Sequence, residues 1–159
     1  MKITILAVGK VKEKFYRQAI EEFEKRLSRY CKLEILAVAD EKTPDSASQA
    51  EMDKIKEREG ERLRKHMPEG AWVCALAIDG SMLDSVELSE KLERLGVEGK
   101  SHLIFVIGGS LGLSEKIMKQ ADFKLSFSKM TFPHQLMRVI LLEQIYRSYR
   151  IMAGEPYHK

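Results

Sequence analysis

The chain has 159 residues, a formal net charge of +3, and is 44% hydrophobic and 32% charged. That length favours one domain with its own core, and the composition excludes a disordered or low-complexity chain. Two cysteines, Cys31 and Cys74, with no CxxC pair, exclude a zinc ribbon or a disulfide framework and fit a reducing cytoplasm.

The first apolar run, Ile3–Val8, reads as a buried strand rather than a signal peptide, because a basic helical pattern follows it instead of a small-residue cleavage site. No apolar run approaches membrane-spanning length. A first helix is expected from about Lys12 to Tyr30, with Phe15, Ala19, Phe23 and Leu27 at helical spacing. Strand two is Leu33–Val38. The second helix runs from Ser48 to His66, where Ser48 and Glu51 have capping-box spacing and Glu57 through Lys65 read as mostly solvated. Strand three, Trp72–Ile78, holds Cys74 as a small buried side chain and is expected to end in a tight turn at Asp79-Gly80. A third helix begins at Ser85, carries Leu88, Leu92 and Leu95, and stops at Gly96.

Strand four is Leu103–Ile107. It is followed by Gly108-Gly109-Ser110-Leu111-Gly112, a helix from near Ser114, and a weaker strand over Phe123–Phe127. The last helix runs from Pro133 to about Met152 and is apolar over most of its circumference. It is either sunk inside one domain or carries a second, intermolecular contact. Continuous apolar runs alternating with helices predict an α/β fold: a doubly wound, mostly parallel sheet with helices on both faces, in a single domain spanning residues 1–159.

Charge is unevenly placed. Residues 1–32 carry nine Lys/Arg against four Glu (+5), residues 33–102 ten against sixteen acidic residues (−6), and residues 103–159 eight against four (+4). If the two basic ends meet, they offer a polyanion a surface; otherwise the surface is an ordinary mixture.

The chemistry is concentrated after residue 103. The C-terminal edge of a parallel sheet is where such folds bind ligands, and glycines there let a ligand approach the backbone. GGxxG is neither the dinucleotide GxGxxG nor a P-loop. Phe127-Ser128-Lys129-Met130-Thr131-Phe132 forms a second loop, beside the first if strands four and five are neighbours. Phe127, Met130 and Phe132 suit an apolar slot, Ser128 and Thr131 offer hydrogen bonds to an adenine edge, and Lys129 is the only full charge.

The start Met1-Lys2-Ile3 with Val8-Gly9-Lys10, the strand end Phe105-Val106-Ile107-Gly108-Gly109-Ser110, the string Ser126-Phe127-Ser128-Lys129-Met130-Thr131-Phe132-Pro133-His134-Gln135 and the ending Gly154-Glu155-Pro156-Tyr157-His158-Lys159 carry a resemblance over essentially the whole chain. The sequence resembles the SPOUT superfamily of methyltransferases, and within it the family that methylates N3 of a pseudouridine in 23S rRNA. The resemblance implies a C-terminal trefoil knot, with the knot and an S-adenosylmethionine site within about residues 103–152. It assigns Leu76, Gly108 and Phe127, Ser128, Lys129, Met130, Thr131 and Phe132 to that site. It implies a homodimer formed through the last helix, no metal and no membrane. Residue spacing alone says nothing of a knot.

Methylating an imide nitrogen requires its proton to leave, so a base or a cationic field would help. His134 follows Pro133, which suits the first helical position, and a helix N-terminus keeps imidazole neutral; it is either a base or a structural hydrogen-bonding group. Arg138 is a candidate for an RNA phosphate or for an intramolecular pair with an Asp. A tail is ordinarily inert, and only the resemblance brings Tyr157 and His158 to an active site, Tyr157 to stack on the target base and His158 to contact the base or a phosphate. Lys159, where Arg is also common, is a candidate phosphate contact. The base stays open among His134, Tyr157 and His158. His66 and His102 read as structural. The small charge excess and the lack of an appended RNA-binding module point to ribosomes, rather than free rRNA, as the substrate, with the basic first helix as part of the RNA surface.

Overall fold

A computed structural model describes every residue from Met1 to Lys159. Strands β1 (Lys2–Val8), β2 (Lys32–Val38), β3 (Trp72–Met82), β4 (His102–Ile107) and β5 (Phe123–Ser126) alternate with helices α1 (Lys14–Leu27), α2 (Gln49–Arg64), α3 (Ser85–Val97), α4 (Glu115–Gln120) and α5 (His134–Met152). Every strand pairing is parallel, in the order β2-β1-β4-β3-β5.

The apolar runs lack polar alternation because the central strands are buried on both faces. Ile3, Ile5 and Ala7 of β1 and Leu103, Phe105 and Ile107 of β4 face a core shared with α1, α3 and α5. Leu6, Val8, Ile104 and Val106 face a second core, shared with α2 and α4. Burying each large side chain contributes about 1.5–3 kcal/mol. Connections that move toward the β2 edge run over the α1/α3 face, and those that move toward the β5 edge run over the α2/α4 face. All four crossovers therefore share one hand, as twisted parallel sheets require.

Several local expectations are corrected. Asp79-Gly80 does not end β3: the strand continues to Met82 after a register shift between Leu76 and Ser81, and pairs again with β5. Gly80 makes this possible, since a Cβ there would lie 2.7 Å from the Lys124 carbonyl oxygen. Strands four and five are not neighbours, because β3 lies between them. Strand two, at the sheet edge, is only half-buried from Leu33 to Leu36. Phe15 is 61% exposed, and Ile20 and Leu27 anchor α1 instead. Glu59 is not solvated but buried. Gly96 lies inside α3, and the chain turns at Gly99 with φ +87°.

Helices α2, α3 and α4 are capped by the side chains of Ser48, Asp84 and Ser114. Helix α5 packs against both α1 and α3, fully burying Leu141, Leu142 and Ile145. That uses part of its apolar circumference; Leu136, Ile140 and Ile151 stay half-buried.

Candidate active site

A cavity of about 280 Å³ opens at the C-terminal edge of β3, β4 and β5. Leu76–Ile78 of β3, where its pairing with β5 breaks at the register shift, line its base. The turn Gly108–Gly112 walls one side, and Phe127, Ser128, Met130, Thr131 and Phe132 wall the other. His134 and Met137 of α5 complete the lining. The two loops converge across β3 rather than side by side, so the expected pocket forms although the expected strand adjacency does not.

The glycine turn is closed tightly. Gly112 N–H donates to the Gly109 carbonyl at 3.0 Å. A Cβ on Gly108 would lie 2.6 Å from the Gly112 carbonyl carbon, so only glycine fits. Two consecutive α2 residues underpin the turn. Glu59 Oε1 would lie 3.4 Å from a Cβ on Gly109, and Ser114 Oγ lies 2.7 Å from the Cβ position of Gly60. The other Glu59 oxygen accepts from Glu41 N–H at 2.9 Å. Burial, with Asp40 and Glu41 nearby, raises the Glu59 pKa against the lowering effect of that hydrogen bond and of Arg62.

In the second loop, Ser126 Oγ donates to the Ser128 carbonyl at 3.1 Å, and Met130 N–H donates to Ser128 Oγ at 3.0 Å. Ser128 thus shapes the loop as well as lining the cavity. Met130, 73% exposed, stands at the mouth. Lys129, in the same loop, is not among the residues that line the cavity. The walls are mainly apolar, with Ser110, Ser128 and Thr131 as hydroxyl groups: a site for a small molecule with an aromatic or apolar body and a few polar edges.

His134 opens α5, with Pro133 one position earlier as the cap residue rather than the first helical residue. Its ring also borders a second cleft beyond α5. Burial first, then Arg138 and Lys12, lower its pKa against the opposing influence of Asp40, so the imidazole is neutral at pH 7. Its Nδ1 is buried without a partner. Arg138 is 2% exposed, and its Nη2 donates to the carbonyls of Val8 at 3.0 Å and Gly9 at 2.6 Å. This corrects the phosphate reading: Arg138 makes intramolecular contacts, to backbone carbonyls rather than to an Asp.

The tail folds back on the C-terminal half of α5. Tyr157 donates its hydroxyl to Glu143 Oε1 at 3.0 Å and meets the Tyr146 ring edge-on at 5.0 Å. Arg147 lies over the Tyr157 ring at 4.7 Å and reaches His158 Nδ1 at 3.1 Å. Arg150 holds Glu155 and the Pro156 carbonyl. Lys159 is exposed. Glu143 is nine residues beyond His134, roughly 14 Å along a helix. Within one chain, then, Tyr157, His158 and Lys159 are not brought to the cavity.

His102 lies 2.8 Å from Thr4 Oγ1, a structural contact, and no group of three His, Cys, Asp or Glu is placed to hold a metal ion. Met137, three residues after His134 on the same helical face, and Glu59 are among the positions that sequence reasoning missed. The helical spacing signals the first, and nothing in the charged run Glu57–Arg62 signals the second.

The family model described as a predicted SPOUT methyltransferase matches residues 1–158. "Ribosomal RNA large subunit methyltransferase H" of Clostridium kluyveri is 60% identical over 159 residues, and its namesake in Bifidobacterium adolescentis 63%, each covering all of both chains. A protein of Methanococcus maripaludis with the same name, marked putative, is 60% identical over the same span. The crystal structure of a probable methyltransferase from Bordetella pertussis Tohama I superposes with a TM-score of 0.58 at 11% identity, covering 92% of this chain and 95% of that one, a likeness of fold. With matches spanning the whole chain, the protein belongs to the SPOUT methyltransferase family.

Proposed function

We propose that the protein is an S-adenosylmethionine-dependent methyltransferase of large-subunit ribosomal RNA, acting on N3 of a pseudouridine in 23S rRNA as a homodimer on assembled ribosomes in the cytoplasm. The observation that carries this reading is the whole-length identity, at 60% or more, with relatives bearing that methyltransferase name. It is joined by the glycine-lined cavity. In this reading, the trefoil knot lies within about residues 103–152, around the cavity. No helix is long and apolar enough to cross a membrane.

The residues fit the donor. Leu76, Phe127 and Phe132 suit its adenine, and the closed Gly108–Gly112 turn lets the backbone approach it. S-adenosylmethionine, when bound, supplies a methyl group already activated on a sulfonium. What remains for the protein is to position the nucleophile and to accept a proton. His134 borders the cavity as a neutral imidazole and is the nearest candidate for that proton. Tyr157 and His158 lie too far along α5 to serve their own chain, so they act on a partner's site. The half-buried Leu136, Ile140 and Ile151 on α5 are the surface on which that partner packs.

The test incubates purified protein and labelled S-adenosylmethionine with ribosomes from a strain lacking the enzyme, followed by nucleoside mass spectrometry. N3-methylpseudouridine in large-subunit rRNA is expected. Donor binding without any label in rRNA would retain the pocket and reject the substrate.

A further inference from the structure

The strand order creates a second crevice that the donor does not need. Ligands enter open parallel sheets where neighbouring strands send their connections to opposite faces. After β4 the chain turns to the α4 face and after β3 to the α3 face, which opens the donor cavity. Strands β1 and β2 are also neighbours, and they diverge in the same way, to α1 and α2. At their C-terminal ends lies a cleft of about 280 Å³, lined by Gly9, Lys10, Lys12, Ala37–Asp40, His134 and Gln135. His134 is common to both cavities and separates them.

The cleft is rigidly framed and cationic. Gly9, with φ +86°, packs between the His134 ring and Asp40, with its Cβ position 3.7 Å from Cε1 and 3.8 Å from Asp40 Cβ. Arg138 holds the carbonyls of Val8 and Gly9 from below. Lys12 N–H donates to Gln135 Oε1 at 2.9 Å, tying this loop to the first turn of α5. The backbone is thus fixed, while the ammonium groups of Lys10 and Lys12 enter no ion pair. The start of α5 has no side-chain cap, and its first two residues, His134 and Gln135, line the cleft, so the uncapped positive end of the helix borders it. Asp40 is the only acid lining the cleft, which leaves one net positive charge before the helix end is counted.

We infer that this cleft binds a phosphodiester of the RNA strand that carries the target base, with Lys10 and Lys12 as the cations, on the far side of His134 from the methyl donor. This rests on the proposed rRNA methyltransferase function. A phosphate fixed there sets the register of the strand over the donor cavity. The contact is the same in ground and transition states, so it governs KM rather than kcat.

The test compares wild type with K10E/K12E and K10R/K12R. Both positions are exposed, and thermal melting confirms folding. Calorimetry with S-adenosylmethionine should give the same Kd within twofold for all three. Methyl transfer to ribosomes should show a KM at least tenfold higher for K10E/K12E, with kcat retained and with rescue in K10R/K12R. The slope of log(kcat/KM) against log salt should become shallower by about 1 for each phosphate that the variant no longer neutralises. An unchanged KM would overturn the inference. So would a weakened donor Kd, which would place the lysines on the donor's carboxylate instead. If wild type transfers no methyl group, the functional reading fails by itself. The cleft is then judged by filter binding of labelled ribosomes, where equal retention of wild type and K10E/K12E overturns it.

Discussion

Replacing Gly108 by Ala tests whether the closed glycine turn is built for a bound molecule. The new methyl would sit 2.6 Å from the Gly112 carbonyl carbon, 2.8 Å from its oxygen and 3.0 Å from its Cα. Ordinary contact begins near 3.4 Å, so the intrusion is about 0.8 Å (3.4 − 2.6). All three atoms are backbone, held by the Gly112–Gly109 hydrogen bond, and cannot swing aside as a side-chain tip would. Overpacking of this kind costs about 1–3 kcal/mol. If that strain displaces the cavity wall, donor affinity falls roughly 5- to 150-fold, at 1.4 kcal/mol per tenfold. Calorimetric titration with S-adenosylmethionine, beside thermal melting, reads both effects. Gly99→Ala is the control: Gly99 has φ +87° with nothing within 4 Å of its Cβ position, and it lies at the opposite end of the sheet. It should lose about 1–2 kcal/mol of stability and leave the donor Kd unchanged. A G108A protein that binds donor within twofold of wild type would refute the reasoning.

Arg138→Met leaves the Val8 and Gly9 carbonyls without their buried donor and should cost about 3 kcal/mol, or roughly 6–12 °C in Tm; a loss below 2 °C would show that water replaces the guanidinium. His134 has a folded-state pKa below its ordinary 6.5, so the unfolded chain binds the extra proton first, and stability should decline as pH falls below about 6.5. His102 is shifted the same way, so His134→Gln should flatten only part of the decline in Tm; an unaltered profile would remove His134 as a contributor. Truncation before Tyr157 should leave folding and donor binding intact and abolish methyl transfer, because the residues removed do not reach their own chain's cavity; full turnover in the truncated protein would sink the shared-site reading.

The elements were largely legible because their signals are local. Ser48 and Ser114 cap the helices that they were expected to begin, and the runs in β1 and β4 lack polar alternation because both faces are covered. What failed was non-local. Asp79-Gly80 has turn chemistry, but pairing with β5 carries β3 past it. The exposure of Phe15 and the burial of Glu59 depend on which turn each helix lays against the sheet, which composition does not reveal. Of the expected donor-site residues, all but Lys129 line the cavity. The string that suggested them is contiguous in sequence. The partners of Arg138 and of the tail, Val8, Gly9, Glu143 and Tyr146, are not legible in the sequence because only tertiary packing brings them together.

The central position of β1 has a consequence during synthesis. Its first partner, β2, ends at Val38, but its second, β4, is complete only at Ile107, 69 residues later (107 − 38). At about 5–20 residues per second, a ribosome needs roughly 3–14 s to bridge that gap. For that interval a nascent β1–β2 pair presents one bare edge of a strand with five apolar side chains in seven, the template on which chains misassociate. Growth conditions that slow elongation lengthen the exposure, and recombinant yield should depend on chaperone supply more than the stability of the finished protein would suggest.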